Sequence, residues 1–328
     1  MAKSKLDGLP IKVFPFLLLC LFTIGASWGE AQTPKTAEDY NNLGLERQSQ
    51  GDLDGAIASY SAALLLKSKP AIIATAYNNR ANARMSKNDI DGAISDYGKA
   101  IELQPDNFEN YYNRAVAFVT RNSFDAAIAD FTKAIEFSPR FALAYNNRGN
   151  ALSAKGSVDE AISDYTKAIE LNPKYAEAFY NRGIARQSKG NVEGSISDYS
   201  SALTLNPDFH LAYINRAVVL QSKGDPEGAI ADYTRALALK KDDAGIYYGR
   251  ATARQVRKDL NGAFADYSKA IEMDPTLAQA YANRAVIETL QDKQAEADRD
   301  FAKAFKLDAS LKNSYREFIE RRRRREPE

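Results

Sequence analysis

The chain of 328 residues holds one cysteine, Cys20, one histidine, His210, and one tryptophan, and its formal net charge is only +1. One cysteine excludes a disulfide framework and a cysteine-based metal site. The single histidine stands at the start of a predicted helix, and paired carboxylates such as Asp242-Asp243 lie in a loop without an acid or base partner at defined spacing. No glycine-rich phosphate loop occurs. The sequence therefore offers no catalytic residue, no metal-ligand set and no cofactor site, and a non-enzyme is expected. Balanced charge gives no reason to expect nucleic acid as a partner. No Asn-x-Ser/Thr acceptor is present, so nothing points to a eukaryotic secretory route, and a bacterial periplasm is the expected location.

Long apolar runs are missing except at the start. Lys3, Lys5 and Lys12 precede an apolar stretch from Val13 to Gly25, and small residues follow up to Ala31. This layout predicts a secretory signal peptide over residues 1–31, cleaved after Ala31, with cleavage after Ala26 or Gly29 and retention as an N-terminal anchor as the alternatives. The stretch is short for a membrane-spanning helix. Leu19 before Cys20 and the apolar run beyond it argue against lipidation. An exported protein, periplasmic or extracellular, is expected. Residues 32–36 read as a linker.

What fills the rest is repetition. Tyr77-Asn-Asn-Arg80 returns as Tyr111-Tyr-Asn-Arg114, Tyr145-Asn-Asn-Arg148, Phe179-Tyr-Asn-Arg182, Tyr213-Ile-Asn-Arg216, Tyr247-Tyr-Gly-Arg250 and Tyr281-Ala-Asn-Arg284, each start 34 residues after the last. An earlier copy, Tyr40-Asn-Asn-Leu43, lies 37 residues before Tyr77. A fixed period of this size predicts a solenoid whose units touch their neighbours and work through an extended surface. Eight units account for residues 37–309.

Each unit reads as two helices. In the unit from Ala142 to Tyr175, Tyr145, Gly149 and Leu152 share a helical face, and Gly156 supplies a left-handed stop. Ser157-Val-Asp-Glu160 predicts a capping box that starts a second helix. In the unit from His210, Gly224 is the stop, Asp225 the N-cap and Pro226 the first helical residue. The second helix closes before proline at Pro105, Pro139, Pro173, Pro207 and Pro275. Small residues recur in fixed columns: Gly or Ala at 44, 81, 115, 149, 183, 217, 251 and 285, Ala or Ser at 56, 93, 127, 161, 195, 229, 263 and 297, and Ala throughout a third column from Ala63 to Ala304. Small side chains bring helix axes together while aromatic columns such as Tyr145 and Tyr165 fill the space around them.

This pattern of aromatic, small residue, Ala, aromatic, Ala and Pro resembles the tetratricopeptide repeat from residue 37 to about 309. The resemblance implies an all-α, right-handed superhelical solenoid of eight helix-turn-helix repeats, acting as a non-catalytic scaffold for protein interactions. Lys241 and Ala309 replace the terminal proline in two units, and the first junction carries three extra residues around Pro70. Those junctions are expected to bend or loosen the stack. Leu311, Tyr315, Phe318 and Ile319 make an apolar stripe on a capping helix over 310–325, which ends in the basic run Arg321 to Arg325; residues 326–328 form a tail.

Two columns bear on function. Arg80, Arg114, Arg148, Arg182, Arg216, Arg250 and Arg284 are followed sixteen residues later by Asp96, Asp130, Asp164, Asp198, Asp232, Asp266 and Asp300, whereas the first unit has Leu43 with Ser59. The two columns change together, and the resemblance places the Arg column at a position between the helices. Partly buried structural ion pairs within each unit are expected. The column just before the arginines holds Asn42, Asn79, Asn113, Asn147, Asn181, Asn215 and Asn283, broken only by Gly249. The resemblance places this helix on the concave side, and related superhelices bind peptides through Asn ladders. An Asn amide can satisfy both backbone groups of an extended peptide. Tyr112, Tyr180 and Tyr248 are the expected aromatic neighbours in that groove. Glu109, Leu143, Glu177 and Leu211 stand where carboxylate-clamp lysines would be, which argues against a co-chaperone. The expected partner is a protein or peptide segment in the concave groove; self-association into a homo-oligomer through end caps or the convex face is the alternative. Membrane contact is expected only through an uncleaved N-terminus or the Arg run.

Overall fold

A single left-handed residue separates the two helices of every pair. Gly51, Gly156, Gly190 and Gly224 take φ of 75–87°, and Asn88, Asn122, Lys258 and Asp292 fill the same place at φ of 59–67°. Helix A stops there because the left-handed residue turns the chain back while its neighbours' N–H groups bond the last carbonyls, as Gly224 does to Gln221 and Leu220. The computed structural model describes residues 34–323, with side chains to residue 320, and every regular element among the described residues is an α-helix. The predicted signal peptide and the Arg run lie outside the residues whose side chains are described.

The chain divides after Pro173 into two units. The first contains α1 (Ala37–Ser49), α2 (Leu53–Leu64), α3 (Pro70–Ser86), α4 (Ile90–Leu103), α5 (Phe108–Thr120), α6 (Phe124–Phe137), α7 (Ala142–Ala154) and α8 (Val158–Leu171). These are four helix hairpins, each packed on the next. The second contains α9 (Ala176–Ser188), α10 (Val192–Leu205), α11 (His210–Lys223), α12 (Pro226–Leu239), α13 (Ala244–Val256), α14 (Leu260–Met273), α15 (Ala278–Leu290) and α16 (Gln294–Leu307), again four hairpins, followed by α17 (Leu311–Ser314) and α18 (Arg316–Arg323).

Helix B begins on an acid or amide more often than on a hydroxyl. Asp52, Asp89, Asn191, Asp225 and Asp259 each accept the backbone N–H of the glycine three residues on, at 2.8–3.0 Å. Ser157 makes no such bond, and the capping box expected from Ser157 to Glu160 is absent. The residue three positions on separates the two groups. The five capped helices have glycine there, where a Cβ would lie within 1.9–2.8 Å of the capping side chain, whereas the helix after Ser157 has Glu160. A true capping box forms at Thr36, where the backbone is extended at ψ 162° and Asp39 reaches back to the Thr36 N–H at 3.0 Å.

Close helix approach follows from the small columns. A Cβ on Gly149 would come within 2.7 Å of Tyr165, and on Gly44 within 2.4 Å of Tyr60, so the ring of helix B lies directly on helix A. The Ala columns are fully buried, including Ala63, Ala100, Ala134 and Ala168 in the first unit. The three extra residues of the first junction neither bulge nor loosen it: they extend α3 to 17 residues, with Pro70 in its first turn, where a missing N–H costs nothing.

At the C-terminus the period continues. Leu311 and Tyr315 fall 34 residues after Leu277 and Tyr281, and Asp308 accepts the N–H and hydroxyl of Ser310 (2.9 and 2.7 Å) as Asp274 does those of Thr276 (2.9 and 2.6 Å). The capping segment is thus a ninth helix A, interrupted at Tyr315 into α17 and α18. Tyr315 and Phe318 lie 5.8 and 6.4 Å from the Phe301 ring, and Tyr315 donates to Asn283 Oδ1 at 2.5 Å.

Candidate functional site

The arginine and aspartate columns meet in all seven repeats that carry them. Each guanidinium is bidentate, Nε to Oδ2 and Nη2 to Oδ1, at 2.6–3.0 Å. The Arg side chains keep 12–24% of their exposure and the Asp side chains 2–12%. Each guanidinium also lies 5.5–6.0 Å from the ring three residues before it, from Tyr77 through Tyr281. The bond to Asp130, Asp164 and Asp232 raises the guanidinium pKa of Arg114, Arg148 and Arg216 despite their burial.

The third donor of these arginines reaches out of the repeat. Nη1 of Arg80, Arg148, Arg216, Arg250 and Arg284 bonds Ser61, Thr132, Ser200, Thr234 and Ser268 of the preceding helix B at 2.8–3.2 Å. Arg114 faces Gly98 instead. This hydroxyl column is visible in the sequence but is missed when pairs are sought only within one repeat. Arg84, Arg186 and Arg254 add a second guanidinium to Asp96, Asp198 and Asp266 at 2.8–2.9 Å. In the eighth repeat that place holds Glu288, which is 4% exposed and whose Oε2 has no partner among the described residues. Burial and the nearby Asp300 push its carboxyl pKa up.

The asparagine column is partly a seam between repeats. Asn79 Nδ2 donates to Asn41 Oδ1 (3.0 Å), Asn113 to Asn78 Oδ1 (3.1 Å), Asn147 to Tyr112 Oη (2.8 Å), Asn215 to Tyr180 Oη (3.0 Å) and Asn283 to Tyr248 Oη (3.3 Å). Every one of these bonds runs to the preceding helix A. Asn42 is exposed, Asn147 and Asn181 are buried, and the others are half-buried. The expectation for Tyr112 and Tyr180 needs correction. Their rings are 6% and 4% exposed and pack against Phe131 and Phe141, and against Tyr199 and Phe209, so they belong to the core and offer no face to a ligand. Burial raises the Tyr180 hydroxyl pKa to about 12. Tyr248 is half-buried, 5.8 Å from the Tyr267 ring. Gly249 interrupts the column for a steric reason: a Cβ there would lie 2.6 Å from Tyr233 Cζ.

Sequence models described as TPR repeat match residues 81–120, 117–156 and 149–190, and models described as tetratricopeptide repeat match 38–70, 176–209 and 214–278. Together they span well over half of the chain. The chain belongs to the tetratricopeptide repeat family. Its fold resembles that of YrrB, described as a TPR protein with an unusual peptide-binding site, with 25% identity and a TM-score of 0.51 over 55% of this chain and 92% of that one. A tetratricopeptide repeat protein from Parabacteroides merdae aligns over 80% of this chain and 98% of its own at 20% identity and a TM-score of 0.57. The C-terminal part of a TPR repeat-containing protein from Cytophaga hutchinsonii aligns over 70% and 94% at 19% identity and a TM-score of 0.61. No curated protein matches the chain.

As a tetratricopeptide repeat protein the chain presents helix A positions that carry amides and apolar residues in turn. Leu45 and Val218, at the position occupied by Asn82 and Asn150 in other repeats, are 46% and 43% exposed. Among the described residues no helix is long and apolar enough to cross a membrane, and no group of three or more His, Cys, Asp or Glu residues could hold a metal ion.

Proposed function

We propose that this protein is an exported, non-catalytic scaffold that binds an extended peptide or protein segment on the face formed by its A helices. The observation that supports this most directly is the chemistry of the A helices in each unit: half-buried Asn82 and Asn150 with exposed Leu45 in the first, and half-buried Gln187 with exposed Val218 in the second. Neutral polar groups beside apolar ones suit a backbone with side chains at alternate positions. The peptide-binding site named for YrrB is consistent with the same use of the fold. Within the asparagine column, Asn42 is exposed and Asn79, Asn113, Asn215 and Asn283 are half-buried, and these are its ligand-facing members.

Cross-linked partners of the full chain, captured from native envelope, test the proposal. Leu45→Arg and Val218→Arg place charge on the face at exposed sites where folding is tolerant. Loss of a captured partner in these variants supports the proposal. Unchanged partners together with an altered oligomeric mass in Phe318→Arg would favour self-association through the C-terminal cap. The N-terminal residue of the exported form reads out cleavage after Ala31.

A further inference from the structure

In five repeats a buried tyrosine of helix B fixes the orientation of one amide on helix A. Tyr60 donates to Gln48 Oε1 (2.9 Å), Tyr97 to Asn82 Oδ1 (2.6 Å), Tyr165 to Asn150 Oδ1 (2.9 Å), Tyr199 to Gln187 Oε1 (2.7 Å) and Tyr267 to Gln255 Oε1 (2.7 Å). These rings are at most 2% exposed, so the hydroxyls are immobile. A phenol has one proton to give. Giving it to the amide oxygen turns the NH2 group the other way. None of the five NH2 groups is a sealed, unpartnered atom, and none bonds another protein group among the described residues; each keeps some access to solvent on a half-buried side chain. Amide and hydroxyl also vary together along the chain. Where helix B carries Phe131, helix A has Val116 and Val119, and where it carries Phe301, helix A has Val286 and Thr289. The sixth repeat uses its amide differently, Gln221 donating to Thr252 at 3.0 Å while Tyr233 lies against Gly249.

We propose that the tyrosine-held amides are the donors that read a bound chain, through the carbonyl oxygens of an extended peptide backbone: Gln48, Asn82 and Asn150 in the first unit, Gln187 and Gln255 in the second. This rests on the peptide-binding reading above and adds its chemistry. An amide already held in one orientation loses little freedom on binding, which favours affinity. The donors are neutral, and the nearby Arg84, Arg186 and Arg254 are spent on Asp96, Asp198 and Asp266. A carboxylate or phosphate ligand would call for a free cation; a backbone carbonyl needs only an N–H. Carbonyls recur along any extended chain, so such donors hold a segment without dictating its sequence.

A random dodecapeptide pool displayed on phage and captured by the full chain supplies the probe, and calorimetry of one retained peptide supplies its Kd. Asn82→Asp with Asn150→Asp in the first unit, and Gln187→Glu with Gln255→Glu in the second, keep the shape and the acceptor for tyrosine while removing the NH2 donors. One of these pairs is expected to weaken binding about tenfold or more. Tyr97→Phe with Tyr165→Phe, or Tyr199→Phe with Tyr267→Phe, keeps the amides but frees them, and about threefold weakening in the same unit is expected. A scrambled peptide should bind within about threefold of the original. Unchanged affinity in both acidic pairs overturns the inference and leaves the peptide-binding reading standing. If the acidic variants melt early, unchanged affinity in both tyrosine pairs overturns it equally. Displacement of the peptide by dextran also overturns it, and a pool retained no better than phage without a displayed peptide overturns both readings.

Discussion

The Asn147 amide donates to Tyr112 Oη, 2.8 Å away and one repeat earlier, with both side chains buried. This bond joins α7 to α5, two helices whose contact is otherwise slight, so it acts as a latch between successive A helices. Tyr112→Phe keeps the ring against Phe131 and Phe141 and deletes the hydroxyl. Asn147 Nδ2 then loses its acceptor while Oδ1 still accepts from Asn146 at 3.2 Å, and a loss of about 1–2 kcal/mol is expected, read from the urea midpoint. Tyr248→Phe is expected to cost less, because its bond to Asn283 is longer at 3.3 Å and both residues keep some access to water.

Asp164→Ala leaves Arg148 with a ring, one hydroxyl and no carboxylate. The Arg148 side chain keeps 20% exposure, so the cost falls between those of exposed and fully buried pairs, at about 2–3 kcal/mol. The first repeat shows a second solution, Leu43 with Ser59, in which Ser59 Oγ instead accepts from Arg47 at 3.0 Å. In the fourth repeat Leu152 stands where Arg47 does, so Arg148→Leu combined with Asp164→Ser should recover the part of the loss that comes from the stranded guanidinium. A double-mutant cycle measures this, and additive single effects would mean that the pair is not coupled.

Residues that act within one repeat were the most legible in the sequence. The stops at Gly156 and Gly224 and the spacing of Arg148 and Asp164 follow from local rules and from comparison of one repeat with the next, whereas the stops at Asn88, Asn122, Lys258 and Asp292 carry no glycine to mark them. Contacts between repeats were not legible in the same way. The bonds from Arg148 to Thr132 and from Asn147 to Tyr112 depend on how one hairpin lies on the last, which no periodicity states. For the same reason Tyr112 and Tyr180 read as groove residues from their place beside the asparagines, although packing turns their rings inward. Gly249 is the converse case. Its departure from the column is plain in the sequence, and its cause, the Tyr233 ring, appears only in three dimensions.

The caps of helix B separate residue type from geometry. Asp225 accepts the Gly228 N–H at 2.9 Å, whereas Ser157 makes no cap bond. Asp225→Ala is expected to cost about 1 kcal/mol and Ser157→Ala close to nothing, although both are preferred N-cap residues. Ser157→Asp alone should gain little, because Glu160 carries a Cβ where the Asp89 and Asp259 carboxylates lie over Gly92 and Gly262. Thermal denaturation of the three variants checks the set, and equal losses at Ser157 and Asp225 would show that the hydroxyl caps in solution.

Glu288 makes the eighth repeat sensitive to pH. Burial, followed by the charge of Asp300, raises its carboxyl above the ordinary value of 4.5, while Arg284 pulls the other way to a smaller extent. In the folded chain the proton is therefore held at a pH where the unfolded chain has released it. The stability this group contributes is full below about pH 4.5 and is lost as pH rises through the higher folded value. Glu288→Gln removes that loss because its neutral side chain stays neutral. At pH 7 the variant should melt about 2–4 °C above the wild type, and near pH 4 the two should coincide. A difference that persists unchanged at pH 4 would trace the effect to packing, and no difference at pH 7 would mean that Oε2 is hydrated in solution.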